Sequence, residues 1–137
     1  MVALPACEEK VHVGVPTIAG IRATGQVTDP SGAGVADATV TFIFHETTAC
    51  DSPEFDRSSV RTHMDGRFNA GPPGTNVSEG LLPKDVCMDV QAEPPADRPE
   101  LAPAENGGFV VTLRDQRGGQ SLDSVEVDLT LPEVAGS

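Results

Sequence analysis

Residues 25–40 read GQVTDPSGAGVADATV, and this stretch decides the fold. Its pattern is a strand, a glycine-rich turn and the start of a second strand. Residues 29–32 of the turn (DPSG) contain a proline, whose ring fixes φ, and a glycine, which tolerates positive φ. Further along, THMDGRF at residues 62–68 is typical of a second tight turn between strands. Two such turns flanked by alternating apolar residues predict an antiparallel β-sandwich.

Period-two alternation extends outward from these turns along most of the chain and predicts an all-β fold of about seven short strands. Asp65-Gly66 is expected to close a two-residue hairpin, because such a turn needs positive φ at both central positions. Polar or proline-rich residues indicate three long loops, at 47–58, 71–84 and 93–108. The predicted strands are 21–28, 39–46, 59–64, 67–70, 85–92, 109–114 and 124–131.

The predicted core is poor in aromatic residues, since the chain has five Phe and neither Trp nor Tyr. Val40, Phe42 and Phe44 share one face of their strand and are expected to form the centre of the core. On the strand before the glycine-rich turn, alternate residues from Ile21 to Val27 are expected to face inward. The remaining interior must consist of Val, Leu and Ile.

Charge excludes several classes of partner. The net charge is −12, from 21 acidic and 9 basic residues, and the bases are scattered. Binding to nucleic acid requires clustered Lys and Arg, so nucleic acid is not expected as a partner, and neither is direct contact with anionic lipid. No apolar run approaches the ~20 residues of a transmembrane helix, so direct membrane insertion is not expected. An acidic surface of this kind favours solubility outside the cytosol.

Three cysteines, Cys7, Cys50 and Cys87, permit three single-bridge pairings. Cys50 follows a predicted strand and Cys87 lies on one, whereas Cys7 lies in a leader with nothing to fix its approach. We therefore predict a Cys50–Cys87 disulfide on the outer surface of the sandwich. It would stabilise the fold by roughly 3–4 kcal/mol in the chain-entropy model and indicates an oxidising compartment.

Residues 1–19 are expected to be a leader that includes an edge strand at residues 11–15. Within it, Leu4-Pro5-Ala6-Cys7 resembles the end of a bacterial lipoprotein signal, where the cysteine is the lipid anchor. Pro5 departs from the usual small residue, and no hydrophobic region precedes it. The alternative is that Cys7 is an ordinary cysteine of a flexible leader. Residues 133–137 are expected to be a C-terminal tail.

A family resemblance rests on residues 25–40, on T-x-x-D-G-x-F at residues 62–68, and on Pro73-Gly74 with the strand that follows. These features resemble a carboxypeptidase regulatory-like domain over about residues 20–95, and we assign residues 20–132 to that domain. The resemblance implies a seven-stranded, transthyretin-like and Ig-like sandwich. It also implies a non-catalytic accessory or binding module of secreted bacterial proteins.

The same resemblance gives reasons for several small residues. Gly25 and Ala38 are expected where strands approach closely, and Gly32 and Gly66 are expected to supply positive φ.

Two enzyme families that share this fold can be compared with the sequence. Intradiol ring-cleaving dioxygenases hold iron with two Tyr and two His, and this chain has no Tyr. Hydroxyisourate hydrolases end in Tyr-Arg-Gly-Ser, whereas this chain ends in EVAGS, residues 133–137. Neither activity is expected, and neither a metal nor another cofactor belongs to the main interpretation.

A metal site is the principal alternative. His45 and His63 are predicted to point outward on consecutive strands and so to be cross-strand neighbours. Together with Cys50 and Cys87 they would offer four zinc ligands. The chain has no CxxC or HxxxH spacing, so the fold itself would have to bring these ligands together.

The sequence therefore predicts a non-catalytic, secreted or envelope-anchored module that binds or scaffolds. Its partner would be a protein or a cell-surface component, docking on strand edges or on the loops at 47–58, 71–84 and 93–108. Two alternatives stay open: a metal-binding, enzymatic domain built on His45, His63 and the cysteines, and a structural spacer in a surface assembly.

Overall fold

The computed structural model describes residues 17–69, 74–77, 83–115 and 124–134. The predicted all-β fold is confirmed, with ten strands in the described residues where the sequence predicts about seven. No helix in this part of the chain is long and apolar enough to cross a membrane. The strands are β1 (Thr17–Gly20), β2 (Arg22–Thr28), β3 (Thr39–His45), β4 (Glu54–Arg61), β5 (Arg67–Asn69), β6 (Gly74–Val77), β7 (Lys84–Glu93), β8 (Ala104–Asp115), β9 (Ser124–Glu126) and β10 (Leu129–Thr130).

Two sheets form the sandwich. The larger has six strands in the order β4-β3-β7-β8-β1-β6. In the smaller, β2 lies between β5 and β10, and β9 also pairs with β2. All pairs are antiparallel except those of β2 with β9 and β10, which are parallel. The chain passes between the sheets at Ile21, whose side chain is fully buried.

The core lies between the sheets, with the phenylalanines of β3 at its centre, as predicted. Phe42 and Phe44 are fully buried, and the ring of Phe42 packs against Phe68 of β5 at a centroid distance of 6.0 Å. Gly25 is needed on β2, because an added Cβ would overlap the carbonyl oxygen of Val127 and lie 2.8 Å from Phe68 Cζ. The expected close approach at Gly25 is confirmed.

The glycine-rich turn has the predicted geometry. Gly32 donates its N–H to the carbonyl of Asp29 at 2.9 Å and has a φ of 91°. The Asp29 carboxylate accepts hydrogen bonds from the N–H groups of Ser31 and Ala33, at 2.9 and 3.1 Å. Arg98 binds the other carboxylate oxygen at 3.1 Å, so this turn is also tied to the segment after β7.

The chain reverses at Asp65-Gly66 as predicted, with the N–H of His63 on the carbonyl of Arg67 at 2.8 Å and the N–H of Gly66 on the carbonyl of His63 at 2.9 Å. The two-residue hairpin predicted there is wrong, because β4 and β5 continue into different sheets. Gly66 has the expected positive φ of 82°, but among the described non-glycine residues only Asp37 has a positive φ. The turn connects the two sheets because it docks on the glycine-rich turn. Val27 donates its N–H to the carbonyl of Gly66 at 2.8 Å, and an added Cβ at Gly34 would overlap the backbone of Asp65.

Three predicted loops contain strands. β4 begins at Glu54 inside the predicted loop 47–58, β6 lies inside 71–84, and β8 begins at Ala104 inside 93–108. β4 and β6 are the edge strands of the larger sheet, and an edge strand tolerates polar and turn-forming residues that hide its period. In β8 the period is broken by a register shift opposite Met88 and Val90.

The leader prediction falls mostly outside the described residues. Cys7 and the edge strand predicted at residues 11–15 lie there. β1, which begins at Thr17, pairs with β6 and β8, so the last residues assigned to the leader belong to the larger sheet.

Candidate functional site

Residues 46–53, which we call the clamped loop, connect β3 to β4 and return across the outer face of the larger sheet to β7. The predicted Cys50–Cys87 disulfide is present and joins the loop to β7, with the two Cα atoms 5.2 Å apart. Thr47 accepts a hydrogen bond from the backbone N–H of Cys87 at 2.8 Å. The loop is thus attached to β7 both covalently and through its backbone.

The predicted position of the bridge needs one correction. Cys87 does lie on the outer face, since its neighbours Val86 and Met88 point into the core. However, Cys87 is fully buried because the clamped loop covers it, and Ile43 on the same face of β3 is only 7% exposed. Of the two bridged cysteines, Cys50 is the exposed one. The clamped loop therefore forms a small second layer over Cys87 on the outer face of the sheet.

His45 closes one side of this layer with hydrogen bonds from both ring nitrogens. Nδ1 lies 2.8 Å from the carbonyl oxygen of Ser52, and Nε2 lies 2.9 Å from Asp89 Oδ2. A carbonyl can only accept, so Nδ1 carries a proton, and the protonated form of the ring donates from Nε2 to Asp89 as well. Burial lowers the pKa of His45, but the hydrogen bonds to Ser52 and Asp89 outweigh burial and raise this pKa above its usual value.

Asp89 is held in place by β8. Its Oδ1 accepts the N–H of Gly108 at 2.9 Å, and Gly108 has a φ of 80°. An added Cβ at Gly107 would overlap the Asp89 carboxylate. The two glycines thus form the irregularity in β8 that lets its backbone approach Asp89.

Hydrogen bonds within the clamped loop fix its conformation. Glu46 donates its N–H to the carbonyl of Pro53 at 2.8 Å, and Ser52 Oγ donates to the carbonyl of Ala49 at 2.6 Å. The N–H of Thr47 donates to Ser52 Oγ at 3.2 Å, and the N–H of Ala49 donates to Thr47 Oγ1 at 3.1 Å. The loop is exposed from Glu46 to Asp51, yet its backbone is held in one conformation.

The predicted pairing of His45 with His63 is wrong. The neighbour of His45 on β4 is Glu54, whereas Thr39, at the other end of β3, pairs with Arg61. His63 follows Arg61, so the two histidines lie at opposite ends of β3, roughly 20 Å apart at ~3.3 Å per strand residue.

The structure instead brings His45, Cys87 and Asp89 together, with one potential ligand atom from each within 4.8 Å of the others. Sequence reasoning missed Asp89. The alternation of β7 places Asp89 on the same face as Cys87, but the pairing of β7 with β3 depends on contacts distant in sequence and gives no local signal.

The outer face of the larger sheet also has an open groove of about 440 Å³, lined by Gln91, Glu93, Pro103, Ala104 and Glu105. Gln91 Nε2 donates to Glu105 at 2.8 Å across it. The groove presents two carboxylates and no base, and none of its residues was predicted as a site.

Comparison with known proteins adds information on the fold alone. The chain matches no protein-family model. It matches no curated protein either. Among solved structures it is similar to a 3-chlorocatechol 1,2-dioxygenase from Rhodococcus opacus 1CP, with a TM-score of 0.50 and 13% identity. That match covers 84% of this chain, and the chain spans 60% of the dioxygenase.

Two further solved structures are similar at lower scores. One is the dioxygenase domain of a dioxygenase carbohydrate-binding protein fusion from Streptomyces sp. SirexAA-E, with a TM-score of 0.45, 14% identity, and 88% and 82% of the two chains covered. The other is an alternative pilotin from the type II secretion system of Vibrio cholerae, with a TM-score of 0.40, 17% identity, and 87% and 99% covered.

Proposed function

We propose that this protein is a non-catalytic β-sandwich module, secreted or anchored in the cell envelope, which presents the clamped loop to a protein partner. The observation that carries the proposal is how the reactive side chains are used. In the described residues, Cys50 and Cys87 bond to each other, and His45 uses both ring nitrogens to hold Ser52 and Asp89. These groups fasten a loop, and none of them is left available as a nucleophile or base.

The sequence supports the absence of dioxygenase chemistry. The fold is similar to that of a chlorocatechol dioxygenase, but intradiol enzymes bind iron through two tyrosines and this chain has none. The resemblance to carboxypeptidase regulatory-like domains points the same way, toward an accessory role.

A disulfide favours an oxidising compartment, and the net charge of −12 favours a soluble, extracytosolic surface. Cys7 is the residue through which an envelope form would be anchored.

The clamped loop suits protein recognition because its conformation is fixed before binding. A loop already held by a disulfide and by backbone hydrogen bonds loses little conformational entropy when a partner binds. β4 adjoins the loop and, among the described strands, is hydrogen-bonded only to β3 at the edge of the larger sheet.

Site-specific photocrosslinking in the native host tests this proposal. A photoreactive amino acid at Thr48, exposed in the clamped loop, is expected to give one discrete adduct in the envelope or secreted fraction. The matched control is Met64, which is 92% exposed at the opposite end of β3 and β4.

The adduct at Thr48 should weaken in a Cys50→Ala/Cys87→Ala variant, in which the loop loses its covalent attachment to β7 and keeps only its hydrogen bonds. Equal adducts at Thr48 and Met64, or none at Thr48, would contradict the proposal.

A further inference from the structure

We propose that reduction of the Cys50–Cys87 disulfide converts the base of the clamped loop into a binding site for Zn²⁺. Its four ligand atoms would be the two cysteine sulfurs, Nε2 of His45 and Oδ2 of Asp89. The proposal does not depend on the proposed function, because it concerns the reduced form and requires no partner protein.

The ligand atoms are already close together. One ring nitrogen of His45, the sulfur of Cys87 and one carboxylate oxygen of Asp89 lie within 4.8 Å of one another. His45 Nε2 is 2.9 Å from Asp89 Oδ2, and the sulfur of Cys50 is bonded to that of Cys87. In a tetrahedral zinc site, with bonds of about 2.0–2.3 Å, neighbouring ligand atoms are roughly 3.3–3.8 Å apart. Side-chain rotations, without movement of the strands, are therefore sufficient to surround the ion.

The atoms that do not bind the ion are already fixed in the way that metal sites require. The carbonyl oxygen of Ser52 accepts a hydrogen bond from His45 Nδ1. This bond orients the ring and directs Nε2 toward Asp89. Gly108 binds Oδ1 of Asp89, which leaves Oδ2 for the ion. A backbone carbonyl on the distal nitrogen of a ligating histidine is the usual second layer of a zinc site.

The loop is expected to keep Cys50 near β7 after the disulfide is cleaved. The hydrogen bonds from Cys87 N–H to Thr47 and from Glu46 N–H to Pro53 do not involve sulfur. Cys87 is buried whereas Cys50 is exposed, so solvent reaches the site from the side of the loop.

A dithiol reductant delivers two electrons and two protons to the disulfide and becomes a cyclic disulfide itself, which leaves two thiols on the protein. Zn²⁺ then binds both sulfurs as thiolates and releases their protons, together with the proton that His45 shares with Asp89. In the reverse direction a small-molecule disulfide, such as the oxidised dithiol, accepts two electrons from the thiolates and two protons from water, which re-forms the Cys50–Cys87 bond and releases the ion.

Cobalt titration of the full chain tests the proposal. The protein is reduced with a phosphine under anaerobic conditions, and Co²⁺ is added as a probe for the zinc site. We expect one equivalent to bind with the visible absorption of tetrahedral, thiolate-bound cobalt, and Zn²⁺ to displace it. The oxidised protein should bind no cobalt in this form.

Variants distinguish metal binding by four positioned ligands from metal binding by the free thiols alone. His45→Ala and Asp89→Ala are each expected to weaken binding roughly tenfold or more, as loss of a positioned ligand does. His63→Ala and Cys7→Ser, which keep all four ligands, should leave it unchanged. Circular dichroism of the reduced protein accompanies each titration.

Tight cobalt binding by the oxidised protein, or equal affinities for the His45→Ala and His63→Ala variants, would overturn the proposal. Equal affinities would also be the result if the reduced protein were unfolded, because an unfolded chain does not distinguish His45 from His63. In that case too, the reduced loop would form no zinc site. Photocrosslinking at Thr48 uses the oxidised protein, so the two proposals fail independently.

Discussion

Gly25 on β2 lies against the backbone of the segment between β9 and β10, and Thr62 lies beneath the connection from β2 to β3. An added Cβ at Gly25 would overlap Val127 and stand 2.7 Å from its carbonyl carbon. Thr62 is the buried polar residue of the described core, and its hydroxyl donates to the carbonyl of Val35 at 2.7 Å and accepts the N–H of Ala38 at 2.9 Å. A substitution at either position is expected to lower the free energy of unfolding, each for its own reason.

Gly25→Ala is expected to lower the free energy of unfolding by about 3 kcal/mol or more, because the new methyl group must displace backbone in a packed core. Gly32→Ala is the matched control. Gly32 has a φ of 91° and nothing within 4 Å of an added Cβ, so only the backbone conformation costs energy there, about 1–2 kcal/mol. Urea denaturation measures both, and equal losses would show that the close approach at Gly25 is unimportant.

Thr62→Val keeps the volume of the side chain but leaves a buried carbonyl and a buried N–H without their hydroxyl partner. The expected loss is about 1–3 kcal/mol in the free energy of unfolding. Thr41→Val removes a hydroxyl whose bond to Ser59 Oγ is exposed, and should cost less than about 0.5 kcal/mol. Similar urea midpoints for the two variants would contradict this role of Thr62.

Asp29 predicts a response to acid. The pKa of Asp29 is lowered from 3.8 to about 2. The main cause is the hydrogen bond from the Ser31 hydroxyl, which, together with the bonds from Arg98 and from the N–H groups of the glycine-rich turn, outweighs burial. A lowered pKa means that the carboxylate stabilises the fold above about pH 4, and that this contribution is lost as the pH falls through 2. Between pH 4 and pH 2 the wild type should therefore lose more stability than Asp29→Asn. The lowered pKa of Asp29 would be contradicted if urea denaturation gave the same loss in free energy of unfolding for the wild type and for Asp29→Asn over this pH range.

At the scale of elements, the clamped loop is the segment on which the account depends. It connects a central strand to an edge strand, and it is attached to a third strand, β7, by one covalent bond and one backbone hydrogen bond. The disulfide spans a sequence separation of 37 residues that includes β4, β5 and β6. The disulfide thus reduces the number of conformations open to the unfolded chain, in addition to fixing the loop in the folded protein.

The variant Cys50→Ala/Cys87→Ala is expected to lose roughly 3–4 kcal/mol in the free energy of unfolding, as the chain-entropy model gives for a closed loop of this length. Hydrogen exchange should rise in residues 46–53 and remain slow in β3 and β7, because the core cluster between the sheets includes neither Cys50 nor Cys87. Cys7→Ser controls for the loss of a thiol. A loss below about 1 kcal/mol would contradict the stabilising role of the bridge.

At the scale of the whole molecule, local pattern predicts the class of fold but not which strands become neighbours. Alternation around Phe42 and Phe44 marks a buried strand, and the glycine-rich turn marks a chain reversal, without any knowledge of the rest of the chain. The Cys50–Cys87 pairing was also predictable, since it needed only two ordered segments and an absence of better partners.

Three features depend on long-range contacts and could not be predicted from sequence. Asp65-Gly66 has the residues of a hairpin, but its docking on the glycine-rich turn directs the chain into the other sheet. Glu54 looks like part of a loop because an edge strand needs no apolar alternation. The partnership of His45 with Asp89 requires β7 beside β3, a pairing between residues 44 positions apart.

The central claim is that an oxidised, clamped β-sandwich is the working form of this protein in its native setting. Thiol labelling of the chain recovered from its host tests this most directly, by intact mass after denaturation in an alkylating reagent, without and then with reductant. We expect Cys50 and Cys87 to be labelled only after reduction, and any label before reduction to be on Cys7. Labelling of both Cys50 and Cys87 without reductant would contradict it.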